Sequence, residues 1–145
     1  MTDLNFKKIK SIFLAGVIQG SNKGMVLHRQ DYRKDLKELL KKYLPHSKII
    51  DPVEEHPDSA SYDYQKGEAV FHRSIKRCSE SDLMLAFLPE ASMGTAVEMW
   101  ECYKNSVPVW TISPLKGNWA IKFLSTEIFE SIEKLEIFLR NNSKK

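Results

Sequence analysis

The segment PEASMGTAVEMWE, residues 89–101, places a single carboxylate, Glu98, between Val97 and Met99 inside a helix-like stretch. Ser92, Gly94 and Thr95 stand just ahead of it. Small residues at a helix start leave backbone amides free, and these amides together with the helix dipole favour an anion. The same residues allow a second reading. Thr95-Ala96-Val97-Glu98 fits a capping box, in which the glutamate would serve only the helix. A further segment with chemical potential is GVIQGSNKGM, residues 16–25, which carries three glycines among small polar residues. Glycine lets backbone approach a ligand closely, and its amides can cradle a phosphate. A loop without a ligand is the alternative there, since the spacing is neither G-x-G-x-x-G nor a Walker P-loop.

The elements that must position these residues are legible from periodicity. SIFLAG (11–16) is a strand-length apolar run that stops at Gly16. Tyr32, Leu36, Leu39, Leu40 and Tyr43 form a helical stripe over 31–44, closed by Pro45. KII (48–50) reads as a short strand ended by Asp51-Pro52, and 53–66 as a long polar loop of functional type. Val70, Phe71, Ile75 and Cys78 mark a second helix. LMLAFL (83–88) lacks alternation, as a strand covered on both faces does. A helix over about 94–105 follows, then the strand PVWTIS, a short helix near 118–124, an extended piece at 127–129 and a helix over 131–140.

Alternating strands and helices predict an α/β chain, a flavodoxin-like or Rossmann-like three-layer αβα sandwich around a five-stranded parallel sheet. Ligands bind such sheets beyond the carboxyl ends of the strands, between the first and third. Gly16 and Glu98 are therefore expected to meet at that edge.

The 145 residues are expected to form one domain, 1–145, with a composition of 42% hydrophobic and 28% charged residues that excludes disorder. No apolar stretch approaches the roughly 20 residues of a membrane span. The N-terminal residues read as a first strand in preference to a signal peptide. A net charge of +3, dispersed and without aromatic-basic motifs, argues against a nucleic-acid partner. Cys78 and Cys102 lack metal-ligand spacing, which points to a reduced, cytoplasmic protein with no cofactor or metal. His28, His46 and His56 show neither metal nor triad spacing, and Trp100 and Trp110 read as core.

FLAG in the first strand, and SDLMLAFLPEASMGTAVEMWECYKNSVPVW later, resemble the nucleoside 2-deoxyribosyltransferase superfamily. That superfamily includes the nucleoside 5′-monophosphate N-hydrolases, and the likeness runs from about Ile12 to Leu124. The resemblance implies an enzyme that cleaves the N-glycosidic bond of a nucleoside or nucleoside 5′-monophosphate, by hydrolysis or by base exchange. It implies Glu98 as the nucleophile at the anomeric carbon, with the helix N-terminus helping to keep it ionised. Ser92 stands six residues before the glutamate, where the family's monophosphate hydrolases carry a phosphate-contacting serine and its free-nucleoside transferases an acid. Phe13, Gly16, Ile18, Gly20, Ser92, Gly94 and Asn118 are the expected substrate-binding positions.

The chain departs from the family twice. The family's second-helix aspartate, which serves the leaving base, falls on Ser74, and a first-strand tyrosine falls on Phe13. Asp63, flanked by Tyr62 and Tyr64 as stacking surface for a base, is the preferred substitute acid, with a solvated loop acid as its alternative. Asp82 is read as structural. A pocket that binds nucleotide and turns it over weakly is a second reading of the chain. A third is a phosphoribohydrolase of the lysine-decarboxylase-like type, which shares G-T-x-x-E but has paired glycines absent here. The resemblance also implies sites completed by a neighbouring subunit. Met93, Met99, Trp100 and Tyr103, with PLKGNW after the fourth strand, suggest a homodimer or a dimer-based oligomer in which Asn118 and Trp119 approach the partner's pocket.

Overall fold

A parallel strand covered on both faces needs apolar side chains at nearly every position. In the computed structural model, which describes residues 4–18 and 30–144, the two runs that meet this need form the middle of the sheet. They are β1 (Ser11–Gly16) and β3 (Leu83–Phe87). With β2 (Lys48–Ile50), β4 (Val109–Ile112) and β5 (Glu127–Phe129) they give an all-parallel sheet of order β2-β1-β3-β4-β5. This is the flavodoxin-like order expected from the sequence, with its switch point between β1 and β3. The helices are α1 (Asp31–Tyr43), α2 (Pro52–Glu55), α3 (Tyr64–Ser79), α4 (Met93–Lys104), α5 (Trp119–Leu124) and α6 (Ile132–Asn142).

Alternate side chains of each strand enter opposite layers. Ile12, Leu14, Leu83, Leu85 and Trp110 pack with Leu36 and Leu40 of α1 and Leu135 and Leu139 of α6. Phe13, Ala15, Met84, Ala86 and Val109 pack with Cys78 of α3, Met99 and Cys102 of α4 and Ile121 of α5. At the amino edge the Asp82 carboxylate accepts from the Lys10 and Ser11 amides at 2.8 and 2.9 Å, a structural role as expected.

Three sequence readings need correction. The segment 53–66 is not a continuous loop. Asp51 accepts from the Val53 amide at 3.0 Å and, with Pro52 at the first helical position, starts α2. A 3-10 turn at Ser59–Ser61 and the first turn of α3 occupy most of the remainder. Trp100 is not core, being 51% exposed while Trp110 is 1% exposed. The buried stripe of α4 runs through Thr95, Met99 and Cys102, and Trp100 lies one residue round from it. Met99 in turn is fully buried, so it belongs to the core and not to a surface patch.

Candidate active site

The carboxyl ends of β1 and β3 face each other closely. Gly16 pairs with Phe87, and the Val17 amide donates to the Phe87 carbonyl at 3.3 Å. A Cβ on Gly16 would lie 2.8 Å from that carbonyl oxygen and would also collide with the Tyr32 hydroxyl. Glycine is needed there because the switch point leaves no room for a side chain. Tyr32 itself stacks on Phe87 with ring centroids 4.2 Å apart, and burial pushes its phenol up to about 12, so it stays neutral.

Beyond this edge opens a cavity of about 460 Å³, inside the range of about 300–1,000 Å³ typical of small-molecule sites. The end of β1 contributes Phe13, Gly16 and the following Ile18, and the start of α4 contributes Ser92, Met93, Gly94, Thr95 and Glu98. α3 adds Val70, Phe71 and Ser74, the segment between β2 and α3 adds His56 and Tyr62, and α1 adds Arg33. Six positions expected from the sequence thus line one cavity: Phe13, Gly16, Ile18, Ser92, Gly94 and Glu98. Gly20 lies outside the described residues.

Two expected residues line other surfaces. The Asp63 carboxylate accepts from the Lys66 amide at 2.8 Å and caps α3, and it is not among the cavity residues. Its short side chain satisfies an orphan amide of the first turn, the usual work of an aspartate just before a helix. Asn118 likewise caps α5, accepting from the Ala120 and Ile121 amides at 3.1 and 3.3 Å, and it does not line this chain's cavity.

The capping-box reading of Glu98 is overturned. α4 begins at Met93, and its cap is Ser92, whose hydroxyl oxygen accepts from the Thr95 amide at 3.3 Å. Glu98 is the sixth helical residue, beyond the reach of the orphan amides. Its carboxylate has no hydrogen bond or ion pair among the described residues. Burial raises it from the ordinary 4.5 to about 7, and the Arg33 guanidinium pulls the other way. The helix start therefore does not keep Glu98 strongly ionised, because the dipole's influence fades within the first turn. The nearby positive charge comes from Arg33.

Arg33 lines the cavity and was passed over in the sequence. It is 4% exposed, and its Nη1 donates to the Leu14 carbonyl at 3.1 Å and to Asp51 Oδ1 at 3.0 Å. Its Nε donates to Gln30 Oε1 at 2.8 Å. Lys37 Nζ lies 2.7 Å from Asp51 Oδ2, so the buried aspartate sits between two cations. The signals were a charge inside the helical stripe of α1 and an Asp directly after a strand.

No protein-family model matches the chain, and no curated protein matches it significantly. Solved structures do match. A 2-deoxyribosyltransferase from Bacillus psychrosaccharolyticus is 16% identical and superposes with a TM-score of 0.62, over 87% of this chain and 90% of that one. A conserved protein from Enterococcus faecalis V583 is 18% identical, with a TM-score of 0.63 over 92% of this chain and 98% of that one. The chain has a nucleoside 2-deoxyribosyltransferase-like fold, and that likeness extends over most of its length.

Proposed function

We propose that this chain is a single-domain enzyme that breaks the N-glycosidic bond of a nucleoside or nucleoside 5′-monophosphate. The observation that carries the reading is Glu98, an unpaired carboxylate in a cavity at the switch point, beside Ser92 and Gly94 at a helix start. Departure of the base develops positive charge on the sugar ring. A carboxylate under the anomeric carbon stabilises that charge or bonds to it, splitting one difficult step into two. Water or a second base then resolves the sugar ester. A cavity that holds Glu98 without hydrogen bonds leaves both oxygens for the sugar. The Phe71 and Tyr62 rings, with Val70, would give the base apolar surface. Incubating the protein with a panel of nucleosides and monophosphates and assaying free base tests the reading. Release of a base from at least one is expected, and an inert panel would contradict it.

Ser92 favours the monophosphate class. Its hydroxyl accepts from Thr95, which leaves its proton for an acceptor in the cavity, and the first amides of α4 adjoin it. Ser92→Asp puts a negative charge beside the expected dianion. Monophosphate kcat/KM should then fall by about 100-fold or more, about 2.7 kcal/mol, while free-nucleoside turnover stays within about threefold. Equal losses on both substrates would remove the phosphate assignment.

The reading includes a dimer. Met93 at 89%, Trp119 at 78% and Trp100 at 51% exposure lie on α4 and α5, with Phe123, Tyr103 and Val97 also exposed. Trp100 stacks on Tyr103 and Trp119 meets Phe123 edge-on, so α4 and α5 each present an exposed aromatic pair. Asn118, just before α5, would then reach the partner's cavity. Light scattering at micromolar concentration should give twice the chain mass or a multiple of it, and Trp100→Glu should shift it to the monomer. A wild-type monomer that still releases base would show the site complete within one chain.

A further inference from the structure

Glu98 supplies the nucleophile of the proposed reaction, but an unprotonated purine or pyrimidine anion is a poor leaving group. The cavity must also supply a proton. Ser74, on α3, offers only a hydroxyl of low acidity. Histidine is the side chain that exchanges a proton near neutral pH, and His56 lines the cavity. Its placement is built by three elements. The His56 amide donates to the Pro52 carbonyl at 2.8 Å and closes α2, and the preceding Glu55 is ion-paired to Arg77 of α3. The imidazole Nδ1 lies 3.1 Å from the Tyr62 hydroxyl, whose ring meets it edge-on at 5.9 Å. Nε2 has no hydrogen-bond partner among the described residues. One nitrogen is held and the other is left for a ligand.

We propose that His56 is the general acid of this cavity, in a site whose α3 position offers Ser74 instead of a carboxyl. This rests on the N-glycosidic reading above. In the first step a Glu98 oxygen bonds to the anomeric carbon as the carbon–nitrogen bond breaks. The imidazolium Nε2–H passes its proton to the departing base, which leaves neutral, and His56 becomes neutral imidazole. In the second step water attacks the same carbon, His56 takes its proton, and the Glu98 carboxylate is released. The imidazolium form is compatible with its setting, because Nδ1–H can donate to the Tyr62 oxygen. The charges around the ring are Glu55 paired with Arg77, Lys66 over the Tyr62 ring at 3.9 Å, and Arg33 and Glu98 in the same cavity.

The test uses the intact chain and the substrate that the base-release panel selects. His56→Asn should lower kcat by about 100-fold with KM changed less than about threefold, and should remove the alkaline limb of the kcat/KM profile. In kcat/KM against N7-methyladenosine or its 5′-monophosphate, whose base is already cationic and leaves without a proton, the variant should stay within about threefold of wild type. Equal slowing of both leaving groups, or an alkaline limb that survives in the variant, overturns the proposal. If the variant does not fold, the wild-type profiles decide. An alkaline limb is expected with the neutral base and not with the methylated one, and the reverse or no difference overturns the assignment. Failure of the N-glycosidic reading is distinct: the wild-type protein would then release base from no substrate at all.

Discussion

Glu98→Ala should lower base release by about a thousandfold or more and leave the fold standing. The loss is large because no other carboxylate lines the cavity among the described residues. The fold survives because the Glu98 side chain holds no hydrogen bond there and caps nothing. Unfolding of the variant, seen by circular dichroism, would mean that the carboxylate serves structure. The same carboxylate sets a pH dependence. In the proposed reaction the nucleophilic form is the anion, so activity should rise with pH through about 7. Its contribution to stability runs the other way. The unfolded chain ionises Glu98 near the ordinary 4.5 while the native chain holds the proton to about 7, so native stability falls across that window as pH rises. Glu98→Gln removes the cost. Its melting temperature should match wild type below about pH 4.5 and exceed it above about pH 7, by the equivalent of roughly 1–3 kcal/mol. A variant no more stable than wild type at pH 8 would argue that Glu98 is ionised without penalty.

The second large effect falls on stability. Arg33 and Asp51 are both almost fully buried, and together they bind the ends of β1 and β2 to α1 through the Leu14 carbonyl and the Val53 amide. Arg33→Met leaves the buried Asp51 carboxylate with Lys37 as its one remaining cation among the described residues and the Val53 amide as a donor. Breaking such a pair from one side costs about 3–5 kcal/mol, and the remaining lysine places the expected loss near the lower figure. That corresponds to a melting temperature lower by about 10 °C for a chain of this size. Removing the guanidinium also removes the charge that draws the Glu98 pKa down, so the acid limb of activity should move to higher pH. The double variant Arg33→Met/Asp51→Leu should recover part of the stability and none of that shift. Full stability in the single variant would deny the pair its structural role.

How the sequence announced these features follows from physical scale. The five strands and their order were legible because burial on two faces demands unbroken apolar runs, and LMLAFL has no other reasonable reading. The cluster of Gly16, Ser92 and Glu98 was legible because the topology sends the ends of β1 and β3 to one edge. Caps were harder. Ser92, Asp63 and Thr95 are all acceptable cap residues, and only the three-dimensional start of each helix decides among them. A one-turn helix such as α2 leaves no period to detect, so 53–66 read as a loop and His56 in it had no evident position. Arg33 was hidden by the opposite problem. Its burial depends on Asp51, 18 residues on, and pairing across that distance leaves no local pattern. Trp100 was misread because large apolar residues suit both a core and an interface, and a shift of one residue around a helix separates the two.

The central claim is that Glu98 bonds to the sugar, and a trapped intermediate addresses it most directly. A nucleoside or 5′-monophosphate with fluorine at C2′ forms a slow-turning sugar ester, because fluorine disfavours the oxocarbenium-like state of both steps. After incubation, intact-mass measurement should show one sugar added per chain, and peptide fragmentation should place it on Glu98, with no adduct in Glu98→Ala. An adduct on another residue, or steady base release from ordinary substrate by Glu98→Ala, would contradict the account.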